Sequence, residues 1–415
     1  MVGIARASDT DLQAAFKTDY LPLEENLYST YGNIWGMLKK VYGKSGKDLT
    51  GAIRNSFSGG TGSSSDGTLP LASAPSFLQP NPQWKRVYST IELDGLLIEQ
   101  CKKEGSFIGD ADYLLTAQME GFNRYVSGHV LFNDGTGALG SFTGPATGTA
   151  AAPVLTMLET GTYAYRKAYF EKNMLVNVGT DSTVFKITAV NHDTPSVTLE
   201  RISGSYDLTG LAATDFVVYN QGSKDTDPYG LNGIIDNSSH YGVTEEYRYS
   251  PTEVAAASAP LEDEMLIEMV EKLAEDTDEY PDVIVMPPLH YRRYLAQQIE
   301  MKRVPDKLSR KPRKNAMLSD AVYARVSYNG LAYAGGQGDI MIVQNKFCSS
   351  SRVFALNTRH IWVAHVGKKP GFQAQDGKTY LRMNGRDAYS AFLAMYGEII
   401  INPFHVGAIT GLPTS

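Results

Sequence analysis

Residues Gly109 to Gly140 read GDADYLLTAQMEGFNRYVSGHVLFNDGTGALG, and this stretch decides the fold. Leu115, Met119, Phe122, Val126 and Val130 recur at the spacing of one face of an α-helix. Asp110 and Asp112 stand near its start, where carboxylates favour the helix dipole. The turn residues Asn133-Asp134-Gly135-Thr136-Gly137 stop it. A helix from about Asp110 to Phe132 would be roughly 34 Å long. The chain before it reads as an arm, and the chain after it reads as sheet.

Upstream, Asp9 to Phe16 predicts a short amphipathic helix, and Glu24 to about Tyr42 a second one. The second carries Leu27, Tyr31, Ile34, Trp35 and Leu38 in one stripe. Two such small helices cannot bury their own faces, so they must lie on the main body or on another subunit. Residues 43–83 are dominated by Gly, Ser, Pro and Asn, with a strand predicted over Asp48–Phe57. Trp84 to Leu93 then alternates, with Val87, Ile91 and Leu93 on one face and Trp84, Arg86, Tyr88, Thr90 and Glu92 on the other. Together these make an extended hairpin with a long polar tip. An isolated two-stranded hairpin is marginal in water, so this one is expected to find its stabilising surface on a neighbouring subunit.

Downstream, residues 138–160 read as a Gly/Ala/Pro/Thr linker, and residues 162–173 fit helix or extended chain equally. Met174–Val178, Thr183–Val190, Ser196–Ile202 and Thr214–Tyr219 are β-rich runs separated by turn clusters, which predicts a small barrel or sandwich. Helix and strand alternate afterwards. A helix is predicted over Glu262–Glu275, a buried strand over Asp282–Met286, and a helix opened by Pro288 running to about Glu300. Strands are predicted near Leu331–Ala334, Ile340–Gln344, Val353–Leu356, Ile361–Val366, Thr379–Met383 and Asp387–Asn402.

The 415 residues allow two or three domains, and 42% hydrophobic with 10% aromatic residues is a composition that folds. No apolar run approaches the ~18 residues of a membrane span. The N-terminus lacks a signal-peptide pattern, and Cys101 and Cys348 make no disulfide framework. A net charge of −7 argues against an electrostatic nucleic-acid binder.

Catalytic and metal signals are weak. His360 and His365 flank one strand and face opposite ways, so they cannot chelate one ion from one side. There is no HExxH, CxxC or EF-hand loop, and Gly43-Lys44-Ser45 lacks the earlier glycine of a phosphate loop. Asp276, Asp278, Glu279 and Asp282 could gather a cation, but acidic residues so spread are more often solvated. One strong basic run, Lys302, Arg303, Lys307, Arg310, Lys311, Arg313 and Lys314, could touch nucleic acid or an acidic neighbour, or simply lie in water. No nucleophile–base pair stands out, and no cofactor is expected.

The order of parts resembles the major capsid proteins of tailed double-stranded-DNA bacteriophages, the HK97-like fold. WKRVYSTIELDGLLIEQ looks like the returning strand of the extended E-loop. FIGDADYLLTAQMEGFNRYVSGHVLFNDGTGALG looks like the spine helix and its terminating turn. PDVIVMPPLHYRRYL looks like the strand–helix step of the axial (A) domain, and YLRMNGRDAYSAFLAMYGEIIINPFHVGAITGL like the closing strands of the peripheral (P) domain.

The resemblance implies an α+β chain that is no enzyme. It places an N-terminal arm over 1–45, the E-loop over 46–105, the P-domain spine and a linker over 106–160, and an inserted β domain over 161–230. The A domain comes next over 231–345, then the P-domain sheet over 346–402, and a return to the A domain over 403–415. Copies would join as hexamers and pentamers into an icosahedral shell around packaged double-stranded DNA, a virion component assembled in the bacterial cytoplasm with no membrane partner. The resemblance also implies assembly contacts from Phe77, Leu78, Trp84, Arg86 and Tyr88 of the E-loop, and from Phe16, Tyr20, Leu27 and Trp35 of the arm. Leu115, Met119, Phe122, Val126 and Val130 would form the spine's core face.

A portal protein is a further implied partner, and a decoration protein an open one. A separate scaffolding protein is expected, because Met1 is retained and no spare coiled-coil segment is present. Lys85 lies on the E-loop, but its cross-linking partners have no match, so no covalent ladder is expected. Two competing readings are an encapsulin-type compartment, which resembles the same fold, and an α/β enzyme with a β lid.

Overall fold

A computed structural model describes residues 34–46, 49–57, 59–64, 67–95, 111–161, 163–212, 214–246, 249–300, 332–335, 338–367, 370–372 and 381–414. In chain order the first elements are β1 (Lys39–Lys44), β2 (Ile53–Arg54), β3 (Phe77–Leu78), β4 (Lys85–Asp94) and helix α1 (Ala111–Arg124). Next are strands β5 (Ala138–Thr143), β6 (Thr147–Gly148), β7 (Pro153–Thr156), β8 (Leu175–Val178), β9 (Val184–Asn191), β10 (Ser196–Ser203) and β11 (Asp215–Asn220). Then come α2 (Leu231–Asp236), β12 (Ser239–His240), β13 (Val243–Thr244), β14 (Thr252–Ala255), α3 (Asp263–Thr277), β15 (Val283–Met286) and α4 (Pro288–Glu300). The series closes with β16 (Ala332–Gly335), β17 (Gly338–Gln344), β18 (Val353–Leu356), β19 (Ile361–Val366), β20 (Gly371–Phe372), β21 (Leu381–Arg382), β22 (Ala388–Ile401) and β23 (Val406–Thr410).

The chain folds as two compact units that alternate along the sequence. The first takes in the residues up to Trp35, Arg86–Asp227 and Lys368–Tyr396; the second takes in Gly36–Lys85, Pro228–Gly367 and Gly397–Ser415.

In the first unit, α1 continues into a π-helical turn, Tyr125–Val130. Phe122 and Val126 cluster with Val87 of β4 and with Leu393 and Met395 of β22, flanked by Trp35, Tyr125 and Phe372. Val130 is fully buried. Leu115 lies within α1, but its side chain is outside the described residues. Met119 corrects the expected stripe, because it is 41% exposed. The inner face at this level is led by its neighbour Gln118, which bonds the Ser89 hydroxyl and donates to the Thr90 carbonyl at 3.4 Å. Gln118, Phe122 and Val126 are spaced i, i+4, i+8, so a polar residue heads the inward stripe.

The stretch read as a linker is sheet instead. Strands β5 to β11 form one antiparallel seven-stranded sheet in the order β5-β11-β8-β9-β10-β7-β6. An isolated bridge from Phe142 to Met157 returns β5 beside the end of β7, so the sheet curls toward closure. Its interior holds Phe142, Leu155, Phe170, Val176, Val178, Phe185, Ile187, Val197, Leu199 and Val218. β5 escaped the sequence reading because Ala138 to Phe142 are all buried and mostly small, which erases the alternation. A Cβ on Gly140 would stand 2.8 Å from the Met157 methyl and 3.1 Å from the Phe170 ring. The four β-rich runs over 174–220 fall on β8 to β11 with shifts of a residue or so. Residues 163–173, undecided from sequence, hold one 3₁₀ turn, Lys167–Tyr169.

The second unit is built on a mixed six-stranded sheet, β14-β23-β18-β15-β17-β16. β14/β23 and β15/β17 are parallel, and the other pairs are antiparallel. Leu266, Met269, Val270 and Leu273 of α3 and Tyr294 of α4 pack on Ile284, Met286, Ile340, Ile342, Val353, Ala355 and Ile409. Pro288 opens α4, where a missing N–H costs nothing.

Two expectations are corrected in the second unit. The predicted helix does not reach Tyr42: residues 34–37 form a turn, and Lys39–Lys44 is a strand parallel to β19, with Val41 opposite Ala364. Local helical spacing of Ile34 and Leu38 gives way to ladder pairing of Lys39, Lys40 and Val41, in a run whose Val41 and Tyr42 suit a strand. Of the strand predicted over Asp48–Phe57, Ile53–Arg54 pairs, with Phe77–Leu78. No helix of the described residues is long and apolar enough to cross a membrane.

Candidate assembly surfaces

The hairpin before α1 holds itself together thinly. Ile53 pairs with Leu78 and Arg54 with Phe77. Beyond that ladder, the Asn55 N–H donates to the Ser76 carbonyl at 2.9 Å, and the Ser56 and Ser76 hydroxyls meet at 2.8 Å. Toward the tip, Leu69 is 87% and Leu71 91% exposed, with Phe77 at 61% and Phe57 at 57%. The Arg54 guanidinium lies 4.4 Å from the Phe57 ring centre. Leu78 is half-buried. Trp84 is also half-buried, its indole N–H donating to the Gly46 carbonyl at 3.0 Å.

β4 shows the alternation read from its sequence. Val87 and Leu93 are buried and Ile91 half-buried, while Arg86, Tyr88, Thr90 and Glu92 are exposed. Tyr88, half exposed, meets Phe392 and Tyr396 edge to face, with centroids 6.4 and 5.9 Å apart. Burial and the bond with Tyr88 hold the Tyr396 phenol above its ordinary pKa. Trp35 is half-buried and packs against the cluster around Phe122 and Val126. Phe16, Tyr20 and Leu27, and the basic run at Lys302, Arg303, Lys307, Arg310, Lys311, Arg313 and Lys314, lie outside the described residues.

The turn ending the long helix is a buried corner. Asp134 accepts from the Thr136 N–H at 3.0 Å and from the Tyr163 hydroxyl at 2.8 Å. Asn133 donates to Asp227 at 3.1 Å, and the Tyr125 hydroxyl donates to the same carboxylate at 2.7 Å. Burial and the adjacent Asp227 charge push the Tyr125 phenol well above its usual pKa. Gly137 has φ of +77°, and a Cβ there would stand 2.3 Å from the Ser223 carbonyl oxygen. These bonds tie the corner to other parts of the same unit, which is how a joint is built. Sequence reading missed Asp227, because nothing in its spacing ties it to Asn133.

Comparison with known proteins finds no matching protein-family model and no matching curated protein. Among solved structures, the chain is similar to the cyanophage A-1(L) capsid asymmetric unit, with a TM-score of 0.56 and 11% identity over 98% of each chain. It also aligns with the capsid of a native GTA particle, with a TM-score of 0.48 and 8% identity over 98% of this chain and 100% of the other. The capsid of cyanophage P-SCSP1u aligns with a TM-score of 0.45 and 9% identity, over 97% and 94%. The first likeness shows that the chain has the fold seen in a phage capsid.

Proposed function

We propose that this chain is the major shell protein of a tailed phage, joining through hexamers and pentamers into an icosahedral container for double-stranded DNA. The whole-length likeness to the cyanophage A-1(L) capsid carries this reading. In this reading α1 with its π turn is the spine of a P domain, β14 to β18 with β23 form the A domain, and the β5–β11 sheet is an insertion. The residues before Trp35 act as an arm and the hairpin as an E-loop.

Physics gives the hairpin its task. Leu69, Leu71 and Phe77 present apolar area to water in a single subunit. Covering a Leu or Phe side chain is worth about 1.5–3 kcal/mol, less the entropy of ordering the loop. A neighbouring copy supplies that cover. The net charge of −7 suits a wall that holds DNA without gripping it. A separate scaffolding protein and a portal complete the assembly. The DNA contact is non-specific and electrostatic, and the basic run over 302–314 is its candidate.

The test is to replace Leu69, Leu71 and Phe77 together by Ser in the full chain. The variant should stay soluble with its melting temperature unchanged, yet form no closed shells by negative-stain microscopy. Shells of normal yield would sink the E-loop assignment, and discrete small particles from the unaltered chain would sink the container reading. Particles lacking nucleic acid when made in infected cells would favour an encapsulin-type compartment.

A further inference from the structure

Three side chains far apart in sequence meet at one edge of the second unit. Glu279 comes directly after the left-handed Asp278 that ends α3. His360 ends the 3₁₀ turn Thr358–His360 before β19, and His405 ends the 3₁₀ turn Pro403–His405 before β23. Glu279 Oε2 accepts from His360 Nε2 at 3.0 Å and from Asn357 Nδ2 at 2.7 Å. The two imidazoles stack with centroids 3.5 Å apart and planes 3° from parallel. One ligand atom from each of the three groups lies within 4.8 Å of the others.

A hydrogen-bonded pair of Glu279 and His360 would be an ordinary structural contact. His405 is the residue that such a contact leaves over. It is only 9% exposed, and its Nδ1 is buried with no hydrogen-bond partner. A buried polar atom without a partner is unfavourable, so a site that keeps one needs a reason.

We propose that Glu279, His360 and His405 form a binding site for a divalent transition metal of the zinc type, with water completing the shell. Two imidazoles and a carboxylate are a donor set such ions take. Bonds of about 2.0–2.2 Å would set the ligand atoms roughly 3.4 Å apart in a tetrahedral site. The 3.0 Å contact between His360 and Glu279 must therefore open slightly, and wider spacings within the 4.8 Å must contract. Parallel rings also cannot aim both lone pairs at one point, so one ring must turn out of the stack. His360 is the ring with room, its side chain being 29% exposed. To ligate through Nε2, His360 must carry its proton on Nδ1 instead, which gives up its hydrogen bond to Glu279 Oε2. Bound there, the metal ties the segment after α3 to the two turns that lead into β19 and β23. No spacing rule could find this site, since 81 residues separate Glu279 from His360.

The experiment uses the full chain, stripped with a chelator and titrated with zinc(II) by equilibrium dialysis, then with cobalt(II) by visible absorption. About one zinc per chain, a low-coordinate cobalt spectrum and a raised melting temperature are expected. His405→Ala and Glu279→Gln should each weaken uptake at least tenfold, and His192→Ala, on an exposed histidine, should not change it. His405→Ala removes a buried ring, so a reading on the unaltered chain stands beside it: zinc should protect His360 from diethyl pyrocarbonate. Absence of uptake, uptake unchanged in Glu279→Gln, or an unprotected His360 would each overturn the site. The outcome is independent of shell formation.

Discussion

At the scale of single residues, burial decides both the failures and the pH response. Phe122 is 4% exposed within the cluster of Val87, Val126, Leu393 and Met395. Phe122→Asp would bury an unpaired carboxylate there, at a cost of several kcal/mol. The expected result is insoluble protein or a melting transition lowered by well over 10 °C, read by calorimetry.

His129 gives a pH prediction. Burial, with Arg166 adding to it, lowers its pKa from 6.5 to about 4. The unfolded chain then binds more protons than the folded one between those values. Stability from this group is complete above pH 6.5 and falls as pH drops toward 4, by about 2 kcal/mol at pH 5. Burial likewise lowers the His365 pKa to about 4, which adds in the same direction. Urea unfolding at pH 7 and pH 5 should show the loss, and His129→Gln should reduce it; equal midpoints at both pH values would refute the assignment.

At the scale of elements, legibility tracked periodicity. β4, β8 to β11, β15, β18, β19 and β22 fell within a residue or two of expectation, because each alternates or runs apolar between clear turns. The long helix was legible for the same reason. Its inner face was not, since Gln118 turns inward to bond β4 and Met119 turns outward. β1 and β5 were missed because tertiary pairing made them strands: β1 by its ladder to β19, β5 by burial of small residues on both faces. Asp227 and His405 were illegible for another reason, as their partners are long-range in sequence.

The corner after the helix supports an element-scale test. Gly137→Ala combines a φ of +77° with a Cβ 2.3 Å from the Ser223 carbonyl. It should cost several kcal/mol, whereas Gly121→Ala, which meets nothing within 4 Å, should be neutral or slightly stabilising. Thermal melts of the two variants make the comparison; similar melting temperatures would mean the corner is not rigid. β1 makes a different point. Among the described residues it is the edge of its sheet, and it exposes Lys39, Lys40 and Lys44. Lysines on an edge strand discourage unplanned strand addition.

At the scale of the whole molecule, charge governs association. Copies carrying −7 each repel, and salt screens that repulsion. If the chain builds shells, light scattering should show faster assembly at about 0.5 M than at about 0.05 M sodium chloride. Slower assembly in salt would mean attractive ion pairs between subunits dominate the rate.

The interleaving of the two units also has a consequence for synthesis. The first unit's cluster needs Leu393 and Met395, and the second unit's sheet places β23, residues 406–410, between β14 and β18. A ribosome adding about 5–20 residues per second takes on the order of 20–80 s to make this chain. For nearly all of that time neither unit has the strands it needs. A prematurely terminated chain lacks an interior strand of the second unit's sheet, so it cannot complete that unit.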